Sequence, residues 1–278
     1  MARGSAGESA LHRHLRVLSA FDARHPYLTL TEVAERAGLA KSTVHRLVGE
    51  LEREGLVERG PDRLLRLGVR IFELASRTPG ALGLREIARP YLQAVQARIR
   101  QHVQLGVLAG TDVLFVERLS QRDAVLNATL IGGRIPLHAS SSGLVLLASA
   151  PAALVDEVVA AGIRVYTEHT IRTAAELRRV LRRVRADGFA ETRGHIHPDS
   201  RGIAVPVLGP HRTVYAALGV VVANDGTSAL PYVETLRLAA AGITRELEAV
   251  FLPEHGIREL VRSSDASLAY LETDGPPG

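Results

Sequence analysis

Apolar residues in the first part of the chain recur at helical spacing and are punctuated by glycines. Between Ser9 and Arg24, Leu11, Leu15, Val17, Leu18 and Phe21 make one stripe behind a serine cap, which predicts a first helix. In TLTEVAERAGL the positions Leu30, Val33, Ala34, Ala37 and Leu39 fall near one face. Thr29 and Glu32 have the capping-box spacing, and Gly38 ends the segment because glycine takes a left-handed cap cheaply. A further helix is expected from Lys41 to Glu54. It turns Val44, Leu47, Val48 and Leu51 inward and leaves Lys41, Ser42, Thr43, His45, Arg46 and Glu50 outside. The pattern then shortens to a strand from Leu56 to Arg59, a Gly60-Pro61-Asp62 turn and a second strand from Arg63 to Leu67.

Two helices across a tight turn, followed by a ribbon, predict a winged helix-turn-helix. The outward set on the second helix is short, polar or cationic and crowds its N-terminal turns, as a helix entering a major groove requires. Lys41, the only lysine in the chain, stands at its start. The candidate DNA-binding residues are therefore Lys41, Ser42, Thr43, His45 and Arg46, with Arg59, Arg63 and Arg66 on the ribbon placed for phosphate or a minor groove. Charges on a helix face are commonly just solvated, so the reading rests on the ordered combination and not on any one side chain.

The remainder changes character. Val69 to Arg77 reads as a short amphipathic linker helix, and Pro79, Gly80 and Gly83 then interrupt the pattern. The expected organisation is a disordered start over 1–8, a winged helix over 9–68, a linker over 69–83, a second domain over 84–251 and a fraying tail over 252–278. A helix from Leu84 to Arg100 carries Ile87, Tyr91, Leu92, Val95 and Ile99 inward. HVQLGVLAG and DVLFVERLS form a hairpin about Gly110-Thr111, and AVLNATL predicts a third strand. Helices are expected from the serine-rich start of ASSSGLVLLASA, from Pro151 to Ala161 and from Thr173 to Ala186. Strands follow at Phe189 to His195, Gly202 to Leu208 and VYAALGVVVAN, then a helix from Leu230 to Phe251. The fold class is α+β, a mainly antiparallel sheet with flanking helices and a loop-rich pocket. Arg178, Arg179, Arg182, Arg183 and Arg185 share the helix after Thr173; a solvated face, or one facing an acidic partner subunit, is the favoured reading over a second nucleic-acid surface.

Composition narrows the chemistry. The 278 residues suffice for two domains, and a formal net charge of +4 suits a polyanion partner without demanding one. Aromatic residues are 4% with no tryptophan, which argues against stacking platforms for single strands. The absence of cysteine excludes disulfides, thiolate metal sites and thiol nucleophiles. No run has the length of a signal peptide or a membrane span, so a cytoplasmic protein without a membrane partner is expected.

With KSTVHRL, the wing ending in RLG, GGRIPLHASSSGLVLLA and GIAVPV in order, the chain resembles the IclR family of bacterial transcriptional regulators from about Ser9 to Phe251. The resemblance implies a C-terminal GAF-like domain that binds a small organic effector, and dimers or tetramers on palindromic operators of double-stranded DNA, more often as a repressor. It places effector contacts at Ser140, Ser141, Ser142 and Gly143, at Thr192 and His195, and at Gly202, Gly219 and Val221. The chain departs from relatives that bind small oxoacids, which carry an acidic residue where Thr192 stands and serines where Gly219 and Val221 stand. Fewer anchors and more room imply a bulkier, less polar effector than glyoxylate or pyruvate.

Two catalytic or metal alternatives stay open on residue type. His195 and His197, with His138 or His102, could hold a transition metal. Ser140 to Ser142 with His138 or His195 and Asp199 could suggest a nucleophile, but no G-x-S-x-G elbow is present, nor a Walker or dinucleotide motif. No enzyme activity and no cofactor are expected.

Overall fold

The computed structural model describes residues 8–22, 24–76, 81–121, 124–209 and 212–251, and divides the chain into two compact units, Met1–Pro79 and Gly80–Gly278. The expected disordered start and tail lie outside the described residues, apart from Glu8.

In the first unit, α1 (Ala10–Leu18), α2 (Leu30–Ala37) and α3 (Lys41–Arg53) pack Val17, Val33, Val44, Leu47 and Val48 into one core. Helix α1 ends earlier than its apolar stripe suggests, and Asp22 and His25 form an isolated bridge beyond it. The capping box at α2 forms in both directions: Thr29 N donates to Glu32 Oε2 at 2.7 Å, and Glu32 N to Thr29 Oγ1 at 3.3 Å. Gly38 closes α2 at φ 61°, and the Arg16 guanidinium donates to the Ala37 and Gly38 carbonyls, so a cation covers the negative end of the helix. The wing is β1 (Val57–Arg59) against β2 (Leu65–Leu67), in register Val57↔Leu67 and Arg59↔Leu65. Leu28 and Leu65 exchange backbone hydrogen bonds of 3.0 and 2.7 Å, which fastens the approach to α2 onto the wing. Helix α4 (Val69–Ser76) follows.

The second unit is one six-stranded antiparallel sheet in the order β5-β4-β3-β8-β7-β6. Its strands are β3 (His102–Ala109), β4 (Asp112–Leu119), β5 (Arg134–Pro136), β6 (Ala190–Arg193), β7 (Ser200–Leu208) and β8 (Val214–Ala223). One face carries Leu105, Ile203, Val205, Leu218 and Val220 against α5 (Ala81–Ile99) and α9 (Leu230–Phe251). The other meets α6 (Ser141–Ser149), α7 (Ala152–Ala160) and α8 (Ala174–Asp187).

Two expectations are corrected. Helix α5 starts at Ala81 and runs through Gly83 instead of starting at Leu84: the cost of roughly 1 kcal/mol for a helical glycine is small beside the burial of Leu84, Ala88 and Leu92. AVLNATL is not a strand. Its backbone bonds to side chains and not to a ladder: His102 Nε2 donates to the Val125 carbonyl at 2.8 Å, and Arg118 to the Thr129 carbonyl. The arginines of α8 are exposed, with Arg178 on Asp156 at 2.8 Å and Arg185 on the Ala148 carbonyl, in keeping with a solvated face.

The N-cap of helix α3 is Ala40, which supplies no side-chain bond to the first amides, and these have no partner inside the helix. Ala40→Ser should raise the stability of the first unit by about 1 kcal/mol; urea unfolding checks this, and an unchanged midpoint means that the amides are already satisfied.

Candidate DNA interface and effector chamber

The outward side chains of α3 stand where the helical period puts them. Lys41, Ser42, His45 and Arg46 are exposed and Thr43 is half-buried, while Val44, Leu47, Val48 and Leu51 are buried beneath them. With its uncapped N-terminus, the helix offers free amides beside cations, the combination that receives a phosphate. On the wing, Arg63 sits at φ 63°, a left-handed conformation that costs a non-glycine residue about 1 kcal/mol, at the tip of the turn closed by Gly60 N on the Leu64 carbonyl at 2.8 Å. Arg59 and Arg66, by contrast, are held by carboxylates: Arg59 by Glu52 at 2.9 Å, Arg66 by Glu58 at 2.8 Å. Glu58 is held below its ordinary carboxylate range by the Val69 amide first and Arg66 second.

The chamber in the second unit is built from two rungs of the sheet. Register places Ala190, Ala204, Gly219 and Gln104 side by side across β6, β7, β8 and β3, and one step along it places Thr192, Gly202, Val221 and His102. The small residues of the first rung let α6 lie close, with Ser142 Oγ only 3.2 Å from where a Cβ on Gly219 would be. Thr192, Gly202 and Val221 of the second rung form the floor of a half-open chamber of about 450 Å³, a volume that includes space open to solvent. Ser140, Ser141 and Ala139 close one side, His195 to His197 another, and the strap from Leu126 to Thr129 a third.

Ser140 caps α6 by accepting the Gly143 amide at 3.1 Å, and as the first helical residues Ser141 and Ser142 have amides with no carbonyl ahead of them. Ser142 Oγ and His195 Nδ1 are buried without a hydrogen-bond partner. Burial pushes His195 down to about 4; Glu176 opposes the shift, and His138 and His169 add to it. At neutral pH the imidazole is uncharged, and among the described residues no lysine, arginine, aspartate or glutamate lines the chamber. A polar groove along α8 and β6 borders the other side of His195.

Of the residues expected at an effector site, Ser140, Ser141, Thr192, His195, Gly202 and Val221 line this chamber, whereas Ser142, Gly143 and Gly219 do not. Gly143 has a packing role, because a Cβ there would stand 2.2 Å from the Leu137 carbonyl. Gln104, Asn127 and Thr129 were missed. The one polar residue in the run 103–109 of β3 was a usable signal, since Gln104 is 2% exposed and accepts from the Thr129 hydroxyl at 2.8 Å. His195 and His197 both line the chamber, but no cluster of three or more His, Cys, Asp or Glu side chains that could hold a metal occurs among the described residues.

Comparison with known proteins bears on both sites. The profile of the bacterial transcriptional regulator IclR C-terminal domain matches residues 78–245, and that of the IclR helix-turn-helix domain residues 10–61. An IclR homolog from Microbacterium hydrocarbonoxydans, crystallised with 4-hydroxybenzoate, is 41% identical, with a TM-score of 0.81 over 87% of this chain and 100% of its own. The HTH-type transcriptional regulator BhcR of Paracoccus denitrificans is 32% identical over 90% of this chain and 86% of its own. XynR of Escherichia coli, also an HTH-type regulator, is 27% identical over 86% and 96%.

Two tests separate packing from binding. Gly143→Ala should destabilise the second unit by about 1–3 kcal/mol, because the clash is with backbone. Gly202→Ala meets only the Ser141 and Thr192 hydroxyls at 2.8 Å, so it should fold and lose ligand binding; equal melting losses in both variants would contradict this. For pH, the unfolded histidine takes its proton near 6.5 and the folded one near 4. The stability that His195 contributes is therefore complete above pH 6.5 and is lost as pH falls toward 4. The stability difference between wild type and His195→Asn should shrink over that window, and a flat difference refutes the assignment.

Proposed function

The chain belongs to the IclR family of bacterial transcriptional regulators, and on that premise we propose a repressor that grips a palindromic operator as a dimer and lets go when a small aromatic acid fills the chamber. Lys41, Ser42, Thr43, His45 and Arg46 read or position the major groove, and Arg59 and Arg63 hold the backbone beside it.

The observation that carries the effector reading is a chamber that no charged side chain lines among the described residues, with apolar walls at Leu126, Ile135, Ile196 and Val221 and a helix N-terminus at one end. The walls suit a ring, and the helix N-terminus at Ser141 suits a carboxylate. Gln104, Thr129 and His195 offer neutral partners to a second polar group. The complex of the Microbacterium homolog with 4-hydroxybenzoate supports an acid of this size and polarity.

The dimer reading rests on an apolar groove in the first unit. Leu11 and Leu15 of α1 and Leu74 of α4 line it while remaining exposed, with Val69 and Phe72 exposed on α4 as well. Exposed leucines grouped around one groove mark a docking face, here for a second copy. Regulation then requires the acid to bind the DNA-competent and released geometries with unequal affinity, since equal affinity shifts nothing.

The experiment is a gel shift at fixed salt on the duplex that the protein selects from a random-sequence pool. 4-Hydroxybenzoate should release wild type but not Gly202→Ala, and Leu15→Glu should weaken binding more than tenfold. Retention of the complex by wild type at saturating acid would end the effector reading, and full binding by Leu15→Glu the dimer reading.

A further inference from the structure

Arg46, an exposed arginine in the N-terminal half of the reading helix, is held by an ion pair that reaches back to α1. Its guanidinium donates to Glu50 one turn along α3, and the other Glu50 oxygen accepts from His14 Nε2 at 2.8 Å. His14 Nδ1 meets the Ala10 carbonyl at 2.8 Å. Both partners of the imidazole are acceptors, so the two bonds coexist only when each ring nitrogen carries a hydrogen. The His14 hydrogen bond, with Arg46 behind it, holds the Glu50 carboxylate below its ordinary range.

An exposed pair one helical turn apart is by itself worth little, because two long side chains must be ordered to form it. Here the carboxylate is already placed from a second helix. The His14 and Glu50 side chains are 21% and 31% exposed, against 56% for Arg46. Neither Lys41 nor His45, on the same helix, forms an ion pair among the described residues. His14 and Glu50 also line the apolar groove between α1 and α4, so the chain of contacts joins that groove to the reading surface.

We propose that His14 and Glu50 are positioning residues that fix the Arg46 guanidinium along α3, so that only a correctly placed base edge or phosphate draws it off. DNA of the wrong sequence must break the pair and approach a carboxylate for one weak phosphate contact. Sequence discrimination therefore comes in part from an intramolecular competitor. This rests on the reading of α3 as the helix that enters the groove.

The test uses the full chain with two duplexes, the one selected from a random pool and a scrambled one, each over a series of salt concentrations. Glu50→Gln should raise affinity for the scrambled duplex, steepen its slope of log K against log salt by about 1 as one phosphate contact is gained, and lower the ratio of selected to scrambled binding severalfold. His14→Ala should move all three the same way by less, which keeps a second variant in hand should Glu50→Gln fold poorly by urea unfolding. With Arg46→Ala already present, Glu50→Gln should leave the slope and ratio unchanged. An equal gain in that background would show general charge repulsion and overturn the proposal. If Arg46→Ala weakens selected binding while Glu50→Gln leaves the ratio intact, the proposal alone fails. If Arg46→Ala changes nothing, the reading of α3 fails with it.

Discussion

The second unit depends on the close approach of Gly143 to the Leu137 carbonyl. Helix α6 is buried from Ser141 to Ala148 and has no polar face to give to water. Such a helix is stable only if every side finds a surface, and the small residues Ala190, Ala204 and Gly219 supply one across three strands. Drawn in this far, the helix brings its N-terminus over the Thr192–Gly202–Val221 rung, where its first amides stand beside a recessed space with largely apolar walls. A helix end is worth most to an anion in such surroundings. The packing that makes the core and the polarity that makes the site are therefore one arrangement.

The first unit shows the opposite economy, with its chemistry on the surface. Leu11, Leu15, Val69, Phe72 and Leu74 stay exposed, and an isolated domain of this size would gain by covering them. Three arginines on α3 and the wing, Arg46, Arg59 and Arg66, are meanwhile each paired with a glutamate. A free helix face crowded with unpaired cations would bind any duplex. An arginine already paired with a carboxylate takes a new partner only by giving up the old one.

What could be read from the sequence was whatever is local. Capping at Thr29 and Ser140, the stop at Gly38, the burial of Val44, Leu47, Val48 and Leu51, and the β3–β4 hairpin all follow from a few neighbouring residues. What depends on distant partners was harder to see. AVLNATL alternates like a strand, but its carbonyls are taken by His102 and Arg118 from the sheet beneath, which no local pattern reveals. Gly143 and Gly219 resemble contacts to a ligand when seen as positions in a motif; in space they are where one backbone needs room for another element. Gln104 and Thr129 enter the site through a side-chain bond across 25 residues.

The most direct measurement of the central claim is the amide spectrum of isotope-labelled protein during a titration with 4-hydroxybenzoate. The resonances of Ser141, Ser142 and Gly202 should move saturably and together, with the amides at the head of α6 shifting furthest as a carboxylate settles against them. Saturable binding that leaves those resonances in place and moves others would contradict the account.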